Sequence, residues 1–465
     1  MSRRQREDEP PPVFCWSERG DRSEIGGAQV ITQTRTYKLI TPLFGGGVEP
    51  GVNDPVTLIR GTEIRGQLRF WWRAIRGGQF NGDLAAMKKR EDEIWGAASN
   101  TETQKERGHN EEAEEVEEKT WYGPVQIEIE VEPQHKGEPV KPFKIVPKKG
   151  GYRANPDHGI PDYAAFPLRP NDDDLKQKGA NTPVADLQQY TTFHLKMIFL
   201  EDWAKEVSAA LWAWETFGGV GARTRRGFGA LQRLDLAPDD VPLADSREAE
   251  IWLKKKLECW YVAGTFPQNV PHIGPDMRFC FARQVDTPMV AWKKAIDKLK
   301  QFRQIPHGRD SRSKWPEAET IRDLTEYRHQ KFGSLHHPHK FPRAIFGLPI
   351  VFHFKDEDKN KRSPRKDFDP PEMILQGAEE RQDRWSSPLI LRPLVCQNGK
   401  ALSMACILDG VELPKRMVLK PAQGTGQTYE IAVSQTRLTR DETSILPILN
   451  GHTNVLQAFL EYFKG

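Results

Sequence analysis

The chain has 465 residues, 37% hydrophobic and 29% charged, which favours two domains of about 200 residues each over one core. No run of about 18 apolar residues occurs, the opening MSRRQREDEPPP has no apolar signal core, and the five cysteines form no C-x-x-C pair, so a membrane span, secretion, a disulfide framework and a zinc cage are all disfavoured. What remains is a cytoplasmic protein with buried thiols, whose net charge of +3 hides local basic patches.

In chain order, residues 1–30 read as a flexible N-terminal extension. TYKLITPLF at 36–44 is a strand candidate ending in the turn GGGVEPG, and a helical pattern runs from Thr62 to about Arg76, stopped by Gly77-Gly78. The charged stretch 97–120, which holds EEAEEVEE, reads as an exposed insertion. VQIEIEVE at 125–132 alternates apolar and polar and predicts a half-buried strand; 133–188 reads mostly as loop, and TTFHLKMIFL at 191–200 as another strand. Trp203, Val207, Leu211, Trp214 and Phe217 recur at helical spacing, with Asp202 as the expected cap. GGVGARTRRGFG follows, then GALQRLDL as a closing strand. This order of strand, helix, strand, strand, helix, strand is that of a ferredoxin-like (RRM-like) domain, placed at 31–238.

A second α+β series is expected over 239–465. A joining segment at 237–258 carries a short helix. WYVAGTF and MRFCFARQV are strand-like, Trp292, Ile296, Leu299 and Phe302 mark a helix, and AIFGLPIVFHF, SPLILRPLV and ALSMACIL are apolar strand candidates. The stretch 355–386 reads as loop, and Asn454 to Phe463 as a closing amphipathic helix. The expected fold class is thus α+β, with two tandem ferredoxin-like domains.

Two segments carry chemistry. In IRGTEIRGQLRFWWRAIRG, residues 59–77, Arg65, Arg69, Arg73 and Arg76 share one helix face. Like charges stacked this way repel, and an anion relieves the repulsion. Guanidinium groups donate paired hydrogen bonds to phosphate, and the helix start behind Arg60, at Gly61-Thr62, offers free N–H groups. Salt bridges to acids elsewhere would relieve the same repulsion. In GGVGARTRRGFGAL, residues 218–231, Gly221 and Gly227 allow close backbone approach, Arg223, Arg225 and Arg226 add charge, and Phe228 offers a ring for base stacking. No G-K-[ST] is present, so a nucleotide P-loop does not fit, while a plain tight turn remains an alternative. In a ferredoxin-like fold both segments can line one groove.

TYKLITPLFGGG with IRGTEIRGQLRFWWR, and GGVGARTRRGFG further on, resemble the RAMP superfamily of CRISPR proteins, and within it the first subunit of type III-B (Cmr) effector complexes. KWPEAETIR at 314–322, FPRAIFGLPIVFHF at 341–354 and SSPLILRPL at 386–394 extend the resemblance over the second half. The resemblance implies two ferredoxin-like folds and a non-catalytic subunit toward the 3′ end of the guide RNA. Its partners would be crRNA, target RNA and other Cmr subunits, with neither a cofactor nor a small-molecule substrate. Cleavage would belong to other subunits. It also implies RNA-facing roles for Arg65, Arg69, Arg73, Arg223, Arg225, Arg226 and Phe228.

The rival class is a metal-independent endoribonuclease that processes guide RNA, which needs an acid and a base beside a 2′-hydroxyl. His336, His337 and His339 form the one dense histidine group. His307, near Arg309, is the better cryptic candidate, with RNA contact favoured over catalysis. His194 reads as structural, and Asp172, Asp173 and Asp174 as a solvated acidic run. A scaffold role through exposed aromatic residues such as Trp71 and Trp95 is the third class.

Overall fold

The computed structural model describes residues 20–25, 27–45, 53–54, 56–97, 125–304, 313–327, 338–354, 368–379, 383–424, 426–444 and 446–465. His307, Arg309, His336, His337 and most of the 97–120 insertion lie outside them.

The first series contains β1 (Asp21–Ile25), β2 (Ala28–Leu39), α1 (Gly61–Arg76), α2 (Leu84–Trp95) and β3 (Gln126–Glu130). It continues through β4 (Glu138–Val140), β5 (Phe143–Lys148) and β6 (Gly151–Pro156), then two short helices, α3 (Asp162–Ala165) and α4 (Asp172–Lys178). It closes with β7 (Leu187–Gln189), β8 (Thr192–Leu200), α5 (Ala204–Phe217) and β9 (Leu231–Arg233). β2 lies between β8 on one side and β1 and β9 on the other, with β3 outside β8 and every pairing antiparallel. Counting β2, β3, β8 and β9 as the four strands of the β-α-β-β-α-β series, their spatial order is 4-1-3-2.

The amphipathic spacing explains this packing. Along β8 burial alternates residue by residue, so Phe193, Leu195, Met197 and Phe199 face inward. They meet Ile64, Leu68, Trp72 and Ile75 of α1 and Val207, Leu211 and Trp214 of α5 in one apolar cluster. Trp71 and Trp95, expected at the surface, are 3% and 0% exposed; each completes an apolar stripe at helical spacing.

Several expectations need correction. β1 and the start of β2 fall inside the stretch expected to be a flexible extension. The 133–188 region holds the antiparallel pairs β4–β7 and β5–β6 and two short helices, where loop was expected. Asp202 does not cap α5: a 3-10 turn at Glu201–Trp203 precedes the helix, and its N-cap makes no side-chain hydrogen bond. Cys280, Cys396 and Cys406 are buried free thiols as expected, whereas Cys259 is disulfide-bonded.

The joining segment carries α6 (Ser246–Trp260), a full helix capped by the Asp245 carboxylate. WYVAGTF forms no strand. Its backbone docks on the end of α1, where Val262 N–H donates to the Ile75 carbonyl at 3.3 Å and a Cβ on Gly78 would lie 2.4 Å from the Val262 carbonyl oxygen.

The second series contains β10 (Phe279–Asp286), α7 (Pro288–Gln304), α8 (Glu317–Thr325), β11 (Ile350–Phe352), β12 (Met373–Gly377), β13 (Leu389–Val395) and β14 (Ala401–Ile407). β15 (Arg416–Pro421), β16 (Tyr429–Ala432), α9 (Arg440–Thr443) and α10 (Val455–Lys464) follow. β10, β14 and β13 form one antiparallel sheet in that order, a 1-3-2 arrangement; among the described residues no fourth strand pairs with β10. β11, β12, β15 and β16 form a separate four-stranded sheet with its own apolar cluster, which includes Ile321 of α8.

All residues of β13 and β14 are buried, although Arg392 sits in the middle of β13. Alternation fails here because the sheet is covered on both faces. Trp292, Leu299 and Phe459 of α7 and α10 cluster with Leu389, Leu391 and Ala405, while Ile390, Leu394 and Leu402 join the cluster of the first series. The glycine-rich segment after α5 lies in this junction.

Candidate nucleic-acid interface

The arginine face of α1 is largely neutralised within the protein. Arg69 donates to the Glu91 carboxylate at 2.5 Å, to Asp92 at 3.0 Å and to the Gly96 carbonyl at 2.6 Å. Arg73 reaches the same Glu91 oxygen at 2.6 Å. Arg65 donates to the Trp95 carbonyl at 2.7 Å, and Arg60 pairs with Asp54 at 2.7 Å. Arg76 is buried on Glu206. Stacked like charges are thus relieved by α2, whose Glu91 is 1% exposed, through the salt bridges that stood as the alternative to an anion. Arg60 and Arg65 still line an open surface depression with Gly61 and Thr62 at the α1 start, where no side chain caps the helix.

The glycine-rich segment touches that helix start. Gly221, at φ 81°, gives its N–H to the Glu63 carboxylate of α1. A Cβ there would meet Leu43 at 2.5 Å and the Phe44 carbonyl oxygen at 2.7 Å, so only glycine fits. Arg225 lies 5.6 Å over the Phe70 ring of α1. The two segments expected to share a groove are therefore adjacent.

The loop side chains, however, turn largely into the junction. Phe228 is 0% exposed, with its ring 4.8 Å from Trp292 and 5.4 Å from Phe44, so it has no face open to a base. Arg225 donates to the Ser387 carbonyl at 2.6 Å, and Arg226 to the carbonyls of Leu389 at 2.8 Å and Phe346 at 3.1 Å. Trp292 returns a hydrogen bond to the Arg226 carbonyl at 2.7 Å. Gly227, at φ 80°, lets the loop approach the Trp292 indole.

What remains uncompensated is charge. Arg303, at the end of α7, lies 5.8 Å over the Tyr163 ring and 5.5 Å over the Phe346 ring. The Nε atoms of Arg303 and Arg223 are buried without a hydrogen-bond partner among the described residues, and Arg223 holds left-handed backbone at φ 59°. Burial, then the charges of Arg303 and Arg223, push the Arg226 guanidinium well below its ordinary value; burial likewise lowers Arg223 and Arg225. A guanidinium stays a cation at neutral pH even so. Among the described residues no carboxylate pairs with any of these four arginines. These four half-buried cations therefore carry no counter-charge among the described residues, whereas desolvated charges are normally paired.

Sequence reading missed Arg303 and Tyr163. A lone arginine in a last helical turn reads as a complement to the helix dipole, and Tyr163 lay in a stretch read as loop. Of the other candidates, His194 bonds Thr36 and His339 pairs with Asp323. Asp173 and Asp174 pair with Lys176 and Lys178. Among the described residues no group of three or more His, Cys, Asp or Glu could hold a metal ion, and no helix is long and apolar enough to cross a membrane.

Residues 36–232 match the family model of the RAMP superfamily, a span that contains both arginine segments. Similar solved structures include apo Cmr1 from Pyrococcus furiosus, at 15% identity and TM-score 0.40, covering 90% of this chain and 97% of that one. A chain of the Type III-B Cmr-beta complex bound to cognate target RNA is also similar, at 13% identity and TM-score 0.45, covering 93% and 99%. So is one from the same kind of complex with target RNA and AMPPnP in the presence of ssDNA, at 13% identity and TM-score 0.45, covering 93% and 98%. No curated protein matches the chain in sequence. The family match thus covers 197 of the 465 residues of the chain.

Proposed function

We propose that this protein is an RNA-binding, non-catalytic subunit of a type III-B (Cmr) RNA-guided effector complex in the cytoplasm. It sits toward the 3′ end of the guide and helps hold crRNA and target RNA, while neighbouring subunits cleave. The observation that carries RNA binding is the cluster of Arg223, Arg225, Arg226 and Arg303, four guanidinium groups that meet no carboxylate among the described residues. A phosphodiester backbone supplies the missing anion, and Arg60, Arg65 and the free α1 N–H groups extend the track. The RAMP match and the motif resemblance support the assignment to an RNA-guided complex. The 4-1-3-2 and 1-3-2 strand orders support tandem ferredoxin-like folds, the second short of its last strand. In such a complex base pairing reads sequence and the protein holds the backbone.

Labelled single-stranded RNA, titrated with purified full-length protein across salt, tests this. Wild type should bind with a salt slope of about −0.7 per phosphate contacted, and Arg303→Ala or Arg223→Ala should each lower its magnitude by about that unit, with the RNA left intact. Unchanged affinity and slope in both variants would sink the assignment, and specific cleavage would make the protein a nuclease.

A further inference from the structure

Phe228, the ring expected to stack on a base, is buried in the junction, so the arginine cluster has no open aromatic face from its own loop. Phe166 presents such a face from α3. It is 58% exposed and opens the 3-10 turn Phe166–Leu168 that continues this helix. A single exposed ring is ordinary on a protein surface; what distinguishes this one is its neighbours.

Tyr163 precedes Phe166 by three residues, which places the two rings on adjoining turns of one helical face. Tyr163 carries Arg303 over its ring at 5.8 Å and lies within electrostatic reach of Arg223 and Arg226. Arg169 follows Phe166 by another three residues, exposed and without an ion pair among the described residues. An exposed ring is thus flanked by cations on both sides. Asp162, beside Tyr163 in the chain, is paired with Lys300 at 3.0 Å. Asp172, Asp173 and Asp174 begin beyond Arg169, where the last two pair with lysines, so the basic strip ends at Arg169. Ala164 and Ala165 are buried in the cluster that holds Trp292 and Leu299 of α7. Ring and cation therefore sit on packed elements, and little has to be ordered when a ligand arrives.

We infer that Phe166 is a base-stacking platform beside the arginine cluster: one unstacked base of a single RNA strand lies on its ring, while Arg303 and Arg169 hold the phosphates on either side of that base. This rests on the RNA binding proposed above and gives it a stacking contact and a path over the surface. Every base has a π-face, so such a seat accepts any sequence. That suits a protein that holds a strand whose sequence is read by base pairing.

The probes are a labelled oligouridylate and an abasic ribose-phosphate strand of the same length, titrated with purified full-length protein across salt. Phe166→Ala should weaken oligouridylate binding about tenfold with the salt slope unchanged, because stacking releases no counterion. Phe166→Tyr should keep wild-type affinity, and Arg169→Ala should lower the magnitude of the slope by about 0.7. On the abasic strand Phe166→Ala should bind as wild type does. Unchanged oligouridylate affinity in Phe166→Ala overturns the platform and leaves the ring to a neighbouring protein. An equal loss on both strands overturns it too, since the ring would then serve the backbone, and an unchanged slope for Arg169→Ala overturns the path of the strand. If wild type binds RNA and Arg303→Ala weakens that binding, these failures leave the proposed function standing; a wild type that does not bind RNA removes both.

Discussion

Arg392 donates from Nη1 to the carbonyl of Gly218 at 2.7 Å, joining the centre of β13 to the end of α5. The same guanidinium reaches the Leu231 carbonyl at 3.1 Å, so one buried cation ties down both ends of the glycine-rich segment. Among the described residues no carboxylate bonds to it, and burial lowers it to about 10, still charged at neutral pH. Replacing Arg392 with leucine leaves the carbonyls it served unmade. The expected loss is about 3 kcal/mol of unfolding free energy, read by urea denaturation. A loss under about 0.5 kcal/mol would show that the junction between β13 and the glycine-rich segment is held by apolar packing alone.

Arg69 and Arg73 share Glu91, whereas Arg303 meets no carboxylate among the described residues, and this separates stabilising arginines from those proposed to bind RNA. Glu91→Gln should destabilise by about 3 kcal/mol, because two half-buried cations lose their counter-charge. Arg303→Ala should stay within about 1 kcal/mol of wild type, since its lost ring contacts are offset by relief of repulsion with Arg226. Paired thermal melts and RNA titrations check both. Arg303→Ala melting far below Glu91→Gln would reverse the assignment.

Acid sensitivity should concentrate at Glu206. Burial alone would raise this carboxyl, but hydrogen bonds and charge from Arg76, with a further bond from Trp72, hold it below its ordinary 4.5. As pH falls, the unfolded chain therefore takes up this proton first. The stabilisation is complete above about pH 4.5 and is lost as pH drops through the lower folded value. Unfolding free energy measured between pH 7 and 3.5 should fall less steeply for Glu206→Gln than for wild type, starting about 3 kcal/mol lower at pH 7. Parallel pH curves would remove Glu206 as the titrating group.

Gly227 tests the junction itself. It sits at φ 80°, and a Cβ would lie 2.6 Å from the Trp292 ring and 2.8 Å from the Leu391 carbonyl oxygen. Gly227→Ala adds left-handed strain to that overlap and should cost about 3 kcal/mol or more. Gly66, on the exposed side of α1 with nothing within 4 Å of a Cβ, is the control, where alanine should stabilise by up to about 1 kcal/mol. Equal melting of the two variants would contradict the close approach.

The local pattern of residues determined where the elements lie. Alternation in TTFHLKMIFL placed β8, and spacings of three and four placed α1, α5, α7 and α10, each within a few residues. These periodicities are set by one face meeting the core, a condition written in neighbouring residues. The same logic failed for WYVAGTF, whose apolar character serves docking on α1, and for 133–188, where the short strand pairs β4–β7 and β5–β6 carry little alternation.

Which arginines stay without a partner was decided by the tertiary structure alone. Arg69 meets Glu91 from 22 residues away, and Arg226 meets the Leu389 carbonyl from 163 away. Charge pairing at such separations depends on how helices and sheets are brought together, and no local pattern encodes it. The arginine-rich motifs therefore announced a basic surface, while the fold used most of that charge in its own core and junction and added Arg303 from elsewhere in the chain.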